Sequence, residues 1–167
     1  EVIFFVFGSV TSNSETTSFN VAQGITMAVE NGATIVNLSL GCATPNSLIQ
    51  KVIRVHHNNG VLFIGAAGNA PVIDNEYPAA YPEVMAVTAI RPDGSLADYA
   101  NRGNFVDAAE RGTQPVRFNN RTYSSTGTSS STAYISGMAA ALATKHKKKQ
   151  IKETKKTFCF KNFQKKK

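Results

Sequence analysis

Continuous apolar runs rich in β-branched and aromatic residues recur along this chain and are separated by polar stretches. Runs of this kind are typical of strands buried on both faces of a sheet. They predict five strands, at residues 2–7, 33–40, 61–67, 84–90 and 105–109.

Between these runs the apolar residues follow helical spacing. One helix is predicted over residues 19–30, and Asn31-Gly32 is a typical end for it. A second begins at Asn46 or Ser47, either of which is a good N-cap, and ends at Asn59-Gly60. A third follows a Gly-Thr-Ser turn inside residues 127–143, which are almost all small or apolar.

This alternation of strands and helices predicts an α/β fold, with a mostly parallel sheet and helices on both faces. In such sheets, functional sites form outside the carboxyl ends of the strands. Leu40-Gly41 and Gly68-Asn69 lie at the carboxyl ends of two of the predicted strands, and the turn at Ser129 opens the last helix. We therefore expect these three features to form one site.

Charge divides the chain into two parts. The formal net charge is +7, but residues 145–167 hold eleven lysines and one acid, so that residues 1–144 are mildly acidic. We predict a folded domain over 1–144 and a Lys-rich tail over 145–167. Basic tails bind nucleic acid or anionic lipid in some proteins, but such runs are commonly only solvated, and a nucleic-acid partner is not expected. No apolar run approaches the roughly 18–20 residues of a membrane span.

Ser129 is the candidate for chemistry. A serine in the first turn of a helix has free backbone N–H groups beside it and the positive end of the helix dipole beneath it. That environment suits a nucleophile whose attack creates an oxyanion. The alternative is that Ser129 serves only as the N-cap of the helix, a position that serine favours.

Four segments in this order resemble the subtilisin-like serine proteases: NGATIVNLSLG, VLFIGAAGN, YPAAYPEVMAVTAI and GTSSSTAYISGMAAALA. The resemblance covers about residues 1–144. It implies a serine endopeptidase of subtilisin type that hydrolyses polypeptides through an acyl-enzyme on Ser129. Family members are usually secreted, so an extracellular location is expected on this ground alone.

The resemblance also assigns roles to individual residues. Asn69 would donate its side-chain amide to the oxyanion, together with the backbone N–H of Ser129. An extended substrate would pair with Ser39, Leu40 and Gly41 as an added strand. The pocket for the side chain before the scissile bond would be lined by Ala66, Ala67 and Gly68.

The proline-rich loop matches the family as well. Glu76 falls at the base of the same pocket and would favour Lys or Arg in substrates if its carboxylate points inward; the alternative is a solvated loop carboxylate. The Tyr77–Pro78 bond would be cis. No cofactor is required for the chemistry, but a structural calcium or sodium ion could bind the backbone carbonyls of Ala79, Tyr81 and Val84.

The chain departs from the family where the catalytic base is concerned. The family's Asp-x-Gly and His-Gly-x-x-His motifs are absent, and none of His56, His57 and His146 fits the role of the base. In the nucleophile helix, Ala133 and Tyr134 replace the usual Pro and His, and Ser130 and Ser131 replace an apolar and a small residue.

We therefore expect a subtilisin-like domain that is incomplete at its N-terminal side, that needs the N-terminal part of the same domain as a partner, and that is inactive alone. Two alternatives remain open. One is a non-catalytic remnant, or pseudoenzyme, that retains a peptide-binding groove. The other is an unrelated α/β domain whose Lys-rich tail binds acidic partners.

Overall fold

A computed structural model describes residues 16–145 of the chain. The predicted strand at 2–7, His146 and nearly all of the Lys-rich tail lie outside the described residues. In chain order the elements are α1 (Ser18–Glu30), β1 (Ile35–Leu38), α2 (Ser47–Asn58), β2 (Leu62–Ala66), β3 (Val84–Ile90), β4 (Ala108–Arg111), β5 (Thr113–Phe118), β6 (Arg121–Thr126) and α3 (Thr128–Lys145).

Four of the strands form a wholly parallel sheet in the order β1-β2-β3-β4. Side chains alternate across this sheet, as the pleat of a strand requires. In β2, Phe63 packs into a cluster with α1 and α2, whereas Leu62 and Ile64 pack into a second cluster with α3. The helices thus cover both faces, and the predicted α/β fold is confirmed.

The two early helices begin and end where local signals predict. Thr17 caps α1 by accepting a hydrogen bond from the Asn20 backbone N–H at 3.2 Å. Of the two candidates for α2, Asn46 is the N-cap, and its Oδ1 accepts from the backbone N–H groups of Leu48 and Ile49. No helix within the described residues is long and apolar enough to cross a membrane.

The last predicted strand is shifted along the chain. β4 spans Ala108–Arg111 rather than residues 105–109. Its bounds are set by pairing with β3, from Val87↔Ala108 to Ile90↔Arg111. β4 is an edge strand of this sheet, and edge strands tolerate charged residues such as Glu110 and Arg111, so an apolar run does not mark its end.

The hairpin of β5 and β6 was not predicted at all. Its two strands pair in antiparallel fashion, and nearly every residue in them is exposed, so they carry no apolar alternation. Asn119 and Asn120 form the turn with φ of 47° and 59°. Two successive positive φ values are typical of the two-residue hairpin turn that Asn favours. The hairpin leads directly into Gly127 and α3.

Candidate active site

The carboxyl ends of β1 and β2 meet the amino end of α3 at one corner of the molecule. Asn69, which follows β2, accepts a hydrogen bond from the Thr128 backbone N–H at 2.8 Å. Ser39, which follows β1, donates its hydroxyl to the Ser129 carbonyl at 3.5 Å. The structure therefore brings together the three features that the sequence placed at strand ends and at a helix start.

Ser129 is the second residue of α3, so it is not the N-cap, and that alternative is wrong. The carbonyl of Gly127 accepts from the backbone N–H groups of Ser130 and Ser131, which makes Gly127 the N-cap of the helix. Within the described residues, neither the backbone N–H nor the hydroxyl of Ser129 has a hydrogen-bond partner. Ser129 is also only half-buried, so both groups remain available to a ligand.

The Asn69 carboxamide is held in a defined orientation beside this helix start. Its Oδ1 accepts from both the backbone N–H and the hydroxyl of Thr128, at 2.8 and 2.9 Å. Its Nδ2 makes no hydrogen bond within the described part of the chain. Gly127 leaves room for the group, since a Cβ at that position would lie 3.2 Å from Nδ2.

A buried asparagine supports the turn that carries Asn69. Gly68 has a φ of +105°, a backbone conformation that glycine adopts more readily than other residues. The Gly68 carbonyl accepts a hydrogen bond from the Asn101 backbone N–H at 3.1 Å. Asn101 is 2% exposed. Its Nδ2 donates to the Asp74 carbonyl at 2.8 Å, and its Oδ1 accepts from the Gly103 backbone N–H at 2.9 Å. Sequence reasoning missed this residue because two of its partners, Gly68 and Asp74, are distant along the chain.

The segment after β1 is fixed from two sides. Asn37 in β1 donates to the Ser39 hydroxyl at 2.9 Å and accepts from Ser136 in α3 at 3.2 Å. On the other side, Cys42 and Tyr77 exchange two backbone hydrogen bonds of 2.8 Å. Ser39, Leu40 and Gly41 are thereby held between α3 and the proline-rich loop.

Glu76 lies between Gly41 of the predicted substrate-pairing segment and Gly68 of the predicted pocket. A Cβ on Gly41 would lie 2.8 Å from the Glu76 Cγ, and one on Gly68 would lie 3.4 Å from the same atom. Within the described residues the carboxylate has no hydrogen-bond or ion-pair partner, and burial raises its pKa above the usual 4.5. The residue is half-buried, and an inward-pointing carboxylate at the base of the pocket stays a prediction.

Of the remaining pocket residues, Ala66 and Ala67 are buried at the end of β2. The resemblance also predicted a cis Tyr77–Pro78 bond, and the structure confirms it.

Two cavities adjoin this corner. One of about 410 Å³ lies between the start of α1, residues 39–42 and Tyr81. The other, of about 430 Å³, lies between the β5–β6 hairpin and α3, and Ser129, Ala133 and Tyr134 line it. Sequence reasoning found neither cavity, because both depend on how separate elements pack.

No described histidine lies near Ser129. His56 and His57 end α2, and α2 packs on the face of the sheet opposite to α3. The Nδ1 atom of His57 is buried and has no hydrogen-bond partner among the described residues. Neither histidine is placed to take the Ser129 proton, which agrees with the sequence analysis, where neither fitted the role of the base.

The ligands predicted for the cation loop are backbone oxygens. Ala79, Tyr81 and Val84 lie on one turn, in which the Tyr81 carbonyl already accepts from the Val84 backbone N–H at 2.9 Å. Within residues 16–145, no three His, Cys, Asp or Glu side chains cluster in a way that could hold a metal. Carbonyl oxygens suit hard cations such as calcium, so the donor type fits. Binding of a cation here stays a prediction.

The residues that depart from the family pattern lie in the first turns of α3. The hydroxyls of Ser130 and Ser125 lie 2.8 Å apart and so join α3 to β6, and Ser131 donates to the Glu110 carbonyl at 2.9 Å. Ala133 and Tyr134 are both exposed and line the cavity between α3 and the hairpin.

Comparison with known proteins gives a consistent result. The sequence matches the Subtilase family over residues 3–161. It is 34% identical over 129 residues to a thermostable alkaline protease of Halalkalibacterium halodurans, covering 76% of this chain and 36% of that protein. It is 35% identical over 125 residues to thermitase of Thermoactinomyces vulgaris, covering 74% of this chain and 45% of that protein.

A solved structure, that of the prenylagaramide maturation protease PagA, superposes with a TM-score of 0.75 at 29% identity, covering 83% of this chain and 54% of that one. The chain thus spans between about a third and about half of the length of these proteins.

Proposed function

Because the chain belongs to the subtilase family, we propose that the whole protein is a serine endopeptidase and that residues 16–145 supply its nucleophile, oxyanion donors and substrate pocket. The observation that carries this proposal is the corner at α3. There Ser129 has an unpaired hydroxyl and backbone N–H, and the Asn69 amide nitrogen is unpaired beside them. A serine hydroxyl, its backbone N–H and a carboxamide nitrogen at one helix start are the nucleophile and the donors that an acyl-transfer site needs.

In the proposed reaction, the Ser129 Oγ attacks the carbonyl carbon of a peptide bond while a base takes its proton. The carbonyl oxygen becomes an oxyanion and accepts from the Ser129 backbone N–H and the Asn69 Nδ2. Collapse of the tetrahedral intermediate expels the amine, which receives the proton from the base, and leaves an acyl-enzyme. Water then releases the acid by the same steps. All of these groups belong to protein or substrate, so the chemistry needs no cofactor.

The base and its orienting carboxylate would come from the N-terminal part of the same domain. Loss of the Ser or His of a subtilisin triad lowers kcat by about 10⁶, and a residual rate of about 10³–10⁴ over water remains. We therefore expect residues 1–167 alone to have no measurable peptidase activity, and the whole protein to have it.

The substrate would be an extended polypeptide. Residues 39–41 follow an edge strand of the described sheet and are held against α3, where they could pair with a substrate backbone. The side chain before the scissile bond would enter between Gly41 and Gly68 and reach Glu76, so a basic side chain is favoured. An extracellular location, as expected of the family's secreted members, is part of the same proposal.

The competing proposal is a pseudoenzyme that only binds peptides, and the observation that favours it is the lack of a base near Ser129 in the described residues. A fluorophosphonate probe separates the two, because it reacts only with an activated serine. We expect the full-length protein to be labelled at Ser129 and to cleave a peptide substrate.

Both properties should be lost in Ser129→Ala and kept in Ser124→Ala, whose serine lies exposed on β6. A folded full-length protein that binds peptides but is neither labelled nor active would support the pseudoenzyme.

A further inference from the structure

The tripeptide Asn-x-Ser/Thr occurs twice in the sequence, at residues 37–39 and at residues 120–122. When x is not proline, this tripeptide is the acceptor for N-linked glycosylation in secreted proteins. Asn37 lies inside β1 of the parallel sheet, whereas Asn120 lies in the turn of the β5–β6 hairpin. A folded protein can carry a glycan only where the amide nitrogen faces solvent, so the structure discriminates between the two copies.

The copy at Asn37 is closed to this modification. In β1, Asn37 is paired with Ile64 of the neighbouring strand. Its Nδ2, the atom that would carry the sugar, donates to the Ser39 hydroxyl at 2.9 Å, and its Oδ1 accepts from the buried Ser136 hydroxyl at 3.2 Å. A glycan on Asn37 would break these hydrogen bonds and force α3 away from β1.

The copy at Asn120 meets the opposite conditions. Asn120 is exposed and lies in the two-residue turn beyond the last hairpin pair, Phe118↔Arg121, so it has no cross-strand partner. Its side-chain amide makes no hydrogen bond within residues 16–145. The side chain of Thr122, which completes the tripeptide, is also exposed and has no hydrogen-bond partner in that range. Both groups that define the acceptor are therefore free to contact solvent.

The hairpin itself is a surface that a glycan would protect. Among the described strands, β5 and β6 pair only with each other, so each has a free edge. The hairpin also exposes three large apolar side chains, Val116, Phe118 and Tyr123, and Phe118 beside the turn is 64% exposed. Free strand edges invite pairing with other chains unless something blocks them. A glycan is bulky and solubilising, so the tip of this hairpin is a place where it would block such contacts.

We propose that Asn120 is a modification site that carries an N-linked oligosaccharide. The donor is a lipid-linked oligosaccharide pyrophosphate. The Asn120 Nδ2 forms a bond to the anomeric carbon of the first sugar, and the bond between that carbon and the pyrophosphate breaks. The lipid pyrophosphate leaves with the bonding electron pair, and Nδ2 gives one proton to a base of the transferase.

This inference goes beyond the proposed peptidase reaction and shares with it only the extracellular location. The test is mass spectrometry of the full-length protein, directed to the secretory pathway of a eukaryotic host, which holds the transferase and the donor. The Ser129→Ala variant is used so that peptidase activity has no part in the result. N-glycosidase converts a glycosylated asparagine to aspartate and so marks the site.

We expect most secreted chains to carry one glycan, at Asn120, and Asn37 to stay unmodified. If most chains are bare at Asn120, or if the folded protein carries its glycan at Asn37, the proposal is overturned.

Four variants locate the site. Thr122→Ala removes an exposed hydroxyl that the transferase requires and keeps the turn, whereas Asn120→Gln removes the acceptor itself; both should lose the glycan. Thr122→Ser should keep it. Asn119→Gln is the matched control, because Asn119 is also exposed in the turn with a positive φ but has arginine two residues later. Loss of the glycan in Asn119→Gln, or its retention in Thr122→Ala, would contradict the assignment.

The outcomes for this inference and for the proposed function are separate. A parent protein that is glycosylated at Asn120 but shows no peptidase activity would refute the proposed function and retain the modification site. A protein that cleaves peptides but leaves Asn120 bare after passage through the secretory pathway would refute the modification site alone.

Discussion

Replacing Glu76 by glutamine should change which peptides the full-length protein cleaves. The carboxylate lies between Gly41 and Gly68, and no cation or hydrogen-bond donor pairs with it among the described residues. A basic substrate side chain that enters this space would supply the missing partner. Glutamine keeps the size of the side chain and removes only its charge.

The size of the effect follows from the surroundings of the carboxylate. A hydrogen bond to a charged group contributes about 1.5–3 kcal/mol. Glu76 is half-buried, so solvent screening places the value near the lower end, at about 1.5 kcal/mol. This corresponds to about a 10-fold fall in the ratio of kcat/KM for Lys over Phe substrates.

The pH dependence of the same ratio of kcat/KM values provides a second test of this placement of Glu76. Burial raises the pKa of Glu76 above 4.5, so the carboxyl group of the free protein stays protonated to a higher pH than usual. Only the ionised form attracts a cation. The Lys/Phe ratio should therefore rise with pH as Glu76 ionises, and in Glu76→Gln it should be flat. Taking the ratio cancels the titration of the catalytic base, which affects both substrates alike.

The assay is steady-state cleavage of two peptides that differ only in Lys or Phe before the scissile bond. Glu83→Gln is the control, because Glu83 pairs with Arg54 at 3.4 Å, away from the pocket. We expect that variant to keep the parent ratio. If Glu76→Gln also keeps both the ratio and its pH profile, the placement of the substrate side chain against Glu76 is wrong.

Two further predictions concern stability, measured by denaturant unfolding of the full-length protein. Asn101→Ala should lower the free energy of unfolding by about 2–4 kcal/mol, because it leaves the Asp74 carbonyl and the buried Gly103 N–H unpaired. The control Asn104→Ala, at an exposed position, should change it by almost nothing. Equal effects of the two substitutions would contradict the role of Asn101. Asn120→Val should lower the free energy of unfolding by about 1–2 kcal/mol, because a β-branched residue is strained at a φ of 59°. Asn120→Gly should be tolerated. A tolerated valine would show that the turn has another geometry.

The sequence predicted those parts of the fold that depend on local signals. Asn46 and the Asn-Gly pairs mark helix ends through short-range hydrogen bonds, and apolar runs mark strands buried on both faces. The β5–β6 hairpin gave no such signal, because both of its faces are exposed. β4 was shifted because its bounds depend on pairing with β3 and not on its own pattern.

The same distinction applies to the site. Ser129 could be singled out from its place at a helix start, and strand ends pointed to Asn69. The contacts of Asn101 with Gly68 and Asp74 join residues far apart in the sequence, which no local pattern reveals. Glu76 was found only through the family resemblance, since its position between two glycines requires the packed loops.

The central claim is that Ser129 and Asn69 act on one tetrahedral intermediate, and a crystal structure of the full-length protein with a peptide boronic acid tests it most directly. We expect boron to be bonded to the Ser129 Oγ, with one boronate oxygen about 2.7–3.1 Å from both the Asn69 Nδ2 and the Ser129 backbone nitrogen. A boronate bound to another residue, or one whose oxygens all face solvent away from Asn69, would contradict the claim.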